Sequence, residues 1–353
     1  MQIDPQLLDF LKRAIELKAS DIHISVATPP MVRLNDQIMP LEDAPRLMPP
    51  DTQRLLFSII DEDHMRTLME NGEVDMSFGV PEVGRFRINV YKQRGSFAAA
   101  IRIMNTTVPD PKELSIPESI INLYKKKSGL VLVTGPTGSG KSTTLAAIIQ
   151  QVNLHRRCHV LTLEDPIEYL YRHNQSLVDQ REIGLDSRTF ATALRAALRE
   201  DPDVIMVGEM RDLETISTAI TAAETGHLVF GTLHTGSASD AVDRIVQVFP
   251  EGMQTQIRLQ LSMCLQAVIT QQLIPKRGGG RALACEMMVV TDAIRNLIRN
   301  GNTPQIVNAI ATSAAIGGQT MDQALVRLVR SRLISKEDAL HYAHEQEYVR
   351  KNA

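Results

Sequence analysis

The stretch Leu130-Val131-Leu132-Val133-Thr134-Gly135-Pro136-Thr137-Gly138-Ser139-Gly140-Lys141-Ser142-Thr143 decides how the rest of this chain is read. An apolar run of strand length enters a glycine-rich turn, and Leu145, Ile148, Ile149 and Val152 follow with the stripe of a helix. Residues 135–142 match the spacing GxxxxGK[ST], which arises by chance in a chain of this length on the order of once in a hundred. Glycines let successive backbone N–H groups turn inward around a phosphate, where side chains would stand in the way. Lys141 can reach the β- and γ-phosphates, Ser142 offers a hydroxyl to Mg²⁺, and the helix N-terminus adds the positive end of its dipole. The sequence therefore predicts a site for a nucleoside triphosphate, bound by Gly135, Pro136, Thr137, Gly138, Ser139, Gly140, Lys141, Ser142 and Thr143. No residue that reads the base stands out, so ATP and GTP both remain open at this point.

Hydrolysis needs carboxylates for the metal and for the attacking water. Two acidic clusters follow apolar strands: Glu164-Asp165-Pro166-Ile167-Glu168 after Val160–Leu163, and Gly208-Glu209-Met210-Arg211-Asp212 after Val204–Val207. In open α/β sheets the C-terminal strand ends converge on the ligand crevice. Glu164 and Glu209 are the candidates there, whereas Asp212 is placed to cap the next helix. A third strand ends in Gly231-Thr232-Leu233-His234-Thr235-Gly236-Ser237, where His234 can sense a γ-phosphate. His227, at that strand's opposite end, reads as structural.

Strands at Leu130–Thr134, His159–Leu163, Val204–Val207 and His227–Leu233 alternate with helices, the mark of an open, mostly parallel α/β sheet. After Gly278-Gly279-Gly280 and a strand near Leu283–Val290, the tail reads as helices: one from Thr291 to Asn300 with Gly301 beyond it, and a last one starting at Ser335. Ile294, Leu297 and Ile298 read as helix-packing core. The first hundred residues differ. A helix carrying Leu7, Leu8, Leu11, Ala14 and Ile15 starts at Asp4 and Pro5. Strands are expected at Asp21–Val26, Val32–Leu34, Glu73–Val80, Arg85–Tyr91 and Ser96–Ile103, with two short helices before residue 72 and Gly84 and Gly95 as turns. That is a compact α+β domain. His23 reads as a solvated or hydrogen-bonded residue of a sheet face. Thr106-Thr107-Val108-Pro109-Asp110-Pro111 reads as linker, since its prolines bar helix and central strand.

Composition narrows the function. The 353 residues are 43% apolar and 22% charged, ordinary for a globular enzyme. A net charge of −3, 4% aromatic residues and no Trp argue against single-stranded nucleic acid as the main ligand. Cys158, Cys264 and Cys285 are too scattered for a disulfide framework or a four-cysteine zinc site. Lys125-Lys126-Lys127 reads as a solvated turn, and Met48, Met65, Met69 and Met263 as gap-filling core. With no signal-like start and only strand-length apolar runs, the chain is expected to be cytoplasmic.

Four motifs taken together resemble one family. Gly135–Thr143, Glu164–Glu168, Asp201–Asp212 and Gly231–Ser237 are similar to the Walker A, Asp box, Walker B and His box of the secretion ATPase superfamily of type II secretion and type IV pili. Ala19-Ser20-Asp21-Ile22-His23-Ile24 and Gly84–Val90 resemble its first domain. Ala293-Ile294-Arg295-Asn296-Leu297-Ile298-Arg299 and Gln319-Thr320-Met321-Asp322 resemble its PilT-type branch, the pilus retraction ATPases. The extension motors carry a longer N-terminal region and a four-cysteine zinc insertion that are not seen here. The retraction signature closes on Glu, where this chain has Asn300, which leaves an accessory, PilU-like paralogue as the alternative.

The resemblance implies a PAS-like domain over 1–105, a linker over 106–117 and a RecA-like ATPase domain over 118–353 with a helical C-terminal region. It implies a homohexamer that hydrolyses ATP with Mg²⁺, drives type IV pilus retraction and twitching motility by domain closure, and sits peripherally at the inner membrane on a pilus platform protein, with a paralogous retraction ATPase as a possible companion. Nucleic acid and metals beyond Mg²⁺ are not expected. Arg87 and Arg102 match the arginines by which the N-terminal domain completes the site, and Arg94 is a further candidate. Glu164 takes the place of the general base, and Glu209, with Ser142, that of the Mg²⁺ shell, through water; the residues alone do not separate the two glutamates. Lys141 and His234 complete the catalytic set. Two other classes remain: a RecA-like nucleic-acid translocase, and a nucleotide-gated adaptor without turnover.

Overall fold

The structure, a computed structural model, describes residues 3–34, 37–104 and 107–353. Two units are distinguished: Met1–Thr107 with Glu168–Leu170, and Val108–Ile167 with Tyr171–Ala353. The first two residues of the chain lie outside the described residues, as do Asn105, the last of the expected first domain, and Thr106, the first of the expected linker. Residues 107–117 carry neither helix nor strand.

In the N-terminal unit, Asp4 accepts the Gln6 N–H at 2.9 Å and starts the helix Pro5–Glu16, which buries Leu7, Phe10, Leu11 and Ala14. Strands β1 (Asp21–Ile24), β2 (Met31–Leu34), β3 (Gln37–Pro40), β4 (Glu73–Val80), β5 (Gly84–Gln93) and β6 (Ser96–Met104) form an antiparallel sheet in the order β3-β2-β1-β6-β5-β4. Alternation decides its faces: Phe86, Ile88 and Val90 of β5 are buried with the helices, while Arg87 between them is exposed. Strand β3 is unforeseen because all four of its residues are exposed, leaving no apolar alternation to read. Gly84 opens β5 rather than making a turn. His23 also departs from expectation, since its Nε2 is buried without a hydrogen-bond partner. It faces Met31 and Ala100 in the register, and neither side chain offers a hydrogen-bonding group.

The second unit is built on β7 (Gly129–Thr134), β8 (His159–Glu164), β9 (Leu177–Glu182), β10 (Val204–Val207), β11 (Leu228–Leu233), β12 (Leu265–Pro275) and β13 (Arg281–Val289), in the order β13-β12-β7-β11-β10-β8-β9. All neighbours are parallel except β12 and β13. Strands β7, β10 and β11 are buried along their whole length, as strands covered on both faces must be. The fold class is α/β with a smaller α+β unit before it, as expected.

Two strands were not foreseen. β9 ends in Asp179-Gln180-Arg181-Glu182, so an edge position hides it from an apolar pattern. β12 follows the helix Glu251–Cys264 without a turn residue, and Thr270, Gln271 and Gln272 interrupt its apolar run.

In the tail, the Thr291 side chain caps the helix Asp292–Asn300 and Gly301 ends it at φ 72°. Ile294 and Ile298 are fully buried, so that helix packs into the core as read. The helix capped by Ser335 is not the last, because Gln346–Asn352 follows it. The methionine reading also needs correction. Met48, Met69 and Met263 stand roughly half exposed, and Met65 alone of the four packs against a core cluster. The first three lie at helix ends or on outer helix faces, where a flexible apolar chain is tolerated singly.

Candidate active site

The turn after β7 holds Gly135, Gly138 and Gly140 at φ 137°, 78° and 90°. Gly135 is required for a second reason. A Cβ there would lie 2.4 Å from the backbone oxygen of Gln271 and 2.7 Å from Ser139 Oγ. Gly140 caps the helix Lys141–His155, whose first turn carries Ser142 exposed, Thr143 half-buried and Thr144 buried. Lys141 folds back over the loop, and its Nζ donates to the carbonyls of Gly135 at 2.8 Å and Pro136 at 3.0 Å.

Sheet order brings the remaining groups beside this loop. Along the C-terminal edge, β7, β11, β10 and β8 are consecutive neighbours. The loop, His234, Glu209 and Glu164 therefore follow one another in that sequence. His234 Nδ1 lies 3.5 Å from Lys141 Nζ, and its Nε2 lies 3.0 Å from Glu209 Oε1. An ammonium only donates, so Nδ1 is the acceptor and Nε2–H faces the carboxylate. Glu209 also pairs with Arg211 and holds that guanidinium above its ordinary pKa, by hydrogen bond first and charge second.

Glu164 has different company. It is buried, and its Oε1 accepts Thr162 Oγ1 at 2.7 Å and Gln180 Nε2 at 3.1 Å, both neutral donors. Glu209 is thus met by a guanidinium and an imidazole N–H, and Glu164 by a hydroxyl and an amide. Asp212 does what the sequence suggests, capping Leu213–Glu224 by accepting Thr215 N–H at 2.9 Å and its hydroxyl at 2.7 Å. His227 Nδ1 lies 3.0 Å from the Ala222 carbonyl, far along β11 from this edge.

Arg87 and Arg102 lie in the N-terminal unit and face each other across β5 and β6. Arg87 pairs with Asp75 at 2.6 Å and Arg102 with Asp21 at 3.0 Å, both on the exposed face. Burial pushes the Asp21 carboxyl up, but hydrogen bonds from Ser20 and Arg102 outweigh it and hold the group below its ordinary value. Arg94 sits apart, in the β5–β6 turn.

Among the described residues no group of three or more His, Cys, Asp and Glu side chains is placed to hold a metal ion by itself. Mg²⁺ shares its shell with substrate phosphates and takes only one or two oxygens from the protein. Ser142 and the strand-end carboxylates can supply them. Gln180 and Gln271 are the site residues that sequence reasoning missed, and they lie on β9 and β12, the unforeseen strands of this sheet. No helix among the described residues is long and apolar enough to cross a membrane.

The model of the type II/IV secretion system protein family matches residues 2–279. The chain belongs to that family. It is 48% identical over 321 residues to the type IV pilus retraction ATPase PilT of Pseudomonas aeruginosa, covering 91% of this chain and 93% of that protein. The same organism's type IV pilus ATPase PilU is 38% identical, over 94% of this chain and 87% of that protein. A crystal structure of the pilus retraction motor PilT with bound ADP superposes with a TM-score of 0.92 at 51% identity, covering 99% of each chain. The likeness extends past the family model's last residue, through the tail that carries the Asp292–Asn300 helix.

Proposed function

We propose that this family member is an ATP-hydrolysing motor subunit that powers type IV pilus retraction, and with it twitching motility, in a homohexamer. One observation carries the reading: the phosphate-binding loop, His234, Glu209 and Glu164 stand side by side on one edge of one sheet. Residues 135–143 bind ATP. Lys141 leaves its loop carbonyls for the β- and γ-phosphates, and His234 reports γ-phosphate to Glu209. Glu164, held by Thr162 and Gln180, orients and deprotonates the attacking water. Mg²⁺, when bound through Ser142 and, by way of water, Glu209, screens the phosphate charge. Arg87 and Arg102 of the N-terminal domain exchange their aspartates for the charge that spreads over the γ-oxygens.

In this reading residues 1–105 are the PAS-like domain, 106–117 the linker and 118–353 the RecA-like ATPase domain. The motor works in the cytoplasm at the inner membrane, against a pilus platform protein. The accessory, PilU-like role has one observation in its favour: Asn300 replaces the signature glutamate and donates to Asn296 Oδ1 at 3.1 Å instead of forming an ion pair. The higher identity to PilT favours the primary motor.

Steady-state ATPase activity against protein concentration, for the parent, Glu209→Gln and Arg87→Ala, with and without single-stranded DNA, tests the reading. Activity that rises steeply with assembly, ignores DNA and is lost in both variants supports it. DNA-stimulated turnover would make the protein a translocase, and absence of turnover a nucleotide-gated adaptor.

A further inference from the structure

β12 runs parallel to β7, and Thr270 stands opposite Thr134, the last residue before the phosphate-binding loop. Their hydroxyls lie 2.8 Å apart. Gln271 is the next step of β12, level with Gly135, and it meets the loop twice. Its backbone oxygen occupies the space a side chain at 135 would need. Its own side chain is wholly buried and donates from Nε2 to Thr144 Oγ1 at 2.7 Å. Thr144 lies one turn into the Lys141–His155 helix, with its N–H on the Gly140 carbonyl at 3.0 Å. One residue therefore contacts the loop's entry and its exit.

Two further atoms point the same way. Gln271 Oε1 is buried without a hydrogen-bond partner, and so is Ser139 Oγ, the oxygen that crowds Gly135 from the loop side. Gln271, whose backbone crowds Gly135, thus carries a desolvated acceptor, and Ser139 presents a desolvated donor to that glycine from the loop side. Buried polar groups are rarely left so, because each loses its bonds to water without replacement. A loop that tightens around a phosphate can bring the two together.

We propose that Gln271 is a positioning residue of the nucleotide site. It keeps the two ends of the phosphate-binding loop in register, and its Oε1 accepts the Ser139 hydroxyl proton when the loop closes on a triphosphate. The inference rests on the reading of this loop as an ATP site, and it adds a residue that touches neither phosphate nor metal. A glutamine inside a central strand is otherwise costly, because its amide must leave water.

The test compares Gln271→Met, Thr144→Val, their double variant and Gln272→Met with the parent in the full-length protein. Gln272 lies on the alternate side of the same strand and also has a buried, unpartnered Oε1. The readouts are kcat, KM, the affinity for a fluorescent ADP and the melting temperature. Loss of one buried hydrogen bond that orients the loop predicts a fall in kcat of about tenfold for Gln271→Met. Thr144→Val should fall equally and the double variant no further, because both remove the same bond. Gln272→Met should stay within about twofold.

A folded Gln271→Met with kcat and ADP affinity unchanged would overturn the inference. So would losses that multiply in the double variant, or an equal loss at Gln272. Thr144→Val removes the bond from the helix side with a smaller change in the core, so the test does not depend on Gln271→Met folding. A parent that binds ADP without turnover would sink the motor reading alone, and the ADP affinities of the variants would then decide this inference.

Discussion

His234 Nε2 lies 3.0 Å from Glu209 Oε1, across the neighbouring strands β11 and β10, while the other nitrogen of the same ring faces Lys141 at 3.5 Å. The imidazole thus bridges the lysine proposed to hold the phosphates and a carboxylate at the next strand end. Replacing it with Gln keeps one hydrogen bond and breaks the bridge. His234→Gln should lower kcat about ten- to a hundredfold, the value of one hydrogen bond to a charged group, with KM for ATP little changed. Steady-state kinetics decides it, and an unchanged kcat with a raised KM would show that the ring only helps to bind.

Glu164 and Glu209 separate by their surroundings, and so should their variants. Glu164→Gln removes the carboxylate, proposed as the base, that Thr162 and Gln180 hold, so kcat should fall by about a hundredfold or more with affinity for ADP unchanged. Glu209→Gln should in addition raise the Mg²⁺ concentration needed for half-maximal turnover. Magnesium titrations of both variants check the assignment, and a shifted magnesium requirement in Glu164→Gln instead would exchange the two roles.

Asp212 holds the start of the Leu213–Glu224 helix through two bonds to Thr215. Burial raises its pKa, but the Thr215 backbone and hydroxyl donors outweigh burial and leave it below the ordinary aspartate value. A folded-state pKa that is lowered stabilises the fold above the unfolded value and loses that support as pH falls through the folded one. Asp212→Ala should cost about 1 kcal/mol, or about 2–4 °C in melting temperature, at neutral pH. The gap to the parent should narrow below about pH 4, where the parent's carboxyl takes up its proton. A gap that does not narrow in acid would show that the cap's charge plays no part.

Glu286 on β13 shows the opposite sign. It is buried, accepts the Ala238 N–H at 2.7 Å, and burial raises its pKa against the pull of that bond and of His344, with Asp322 raising it further. The folded chain therefore keeps this proton to higher pH than the unfolded chain does. The stability it contributes is full below the ordinary glutamate range and is lost as pH rises through the raised value. Glu286→Gln can keep the acceptor without the charge, so it should melt above the parent at about pH 8 and level with it near about pH 4. Melting curves across that range test it, and a variant that melts lower at high pH would show that the charge itself supports the helix start at Ala238.

The sequence by itself determined which residues are proposed for the site and most of the frame that carries them. Residues 135–143 are legible as a phosphate-binding loop because glycine spacing, lysine and helix stripe are local properties. Glu164, Glu209 and His234 are legible for the same reason, since each follows an apolar strand that needs no partner to be recognised. Only the tertiary structure decided what surrounds them. β9 and β12 carry Gln180 and Gln271, and neither strand shows in the pattern, one being a polar edge and the other following its helix without a break. Strand order is set by how buried faces pack across the whole sheet, so nothing near Glu164 in sequence shows that Gln180 will reach its carboxylate. Nothing near Gly135 shows that a residue more than a hundred positions away will close over it. Local pattern specifies which groups are present, and long-range packing specifies which groups meet.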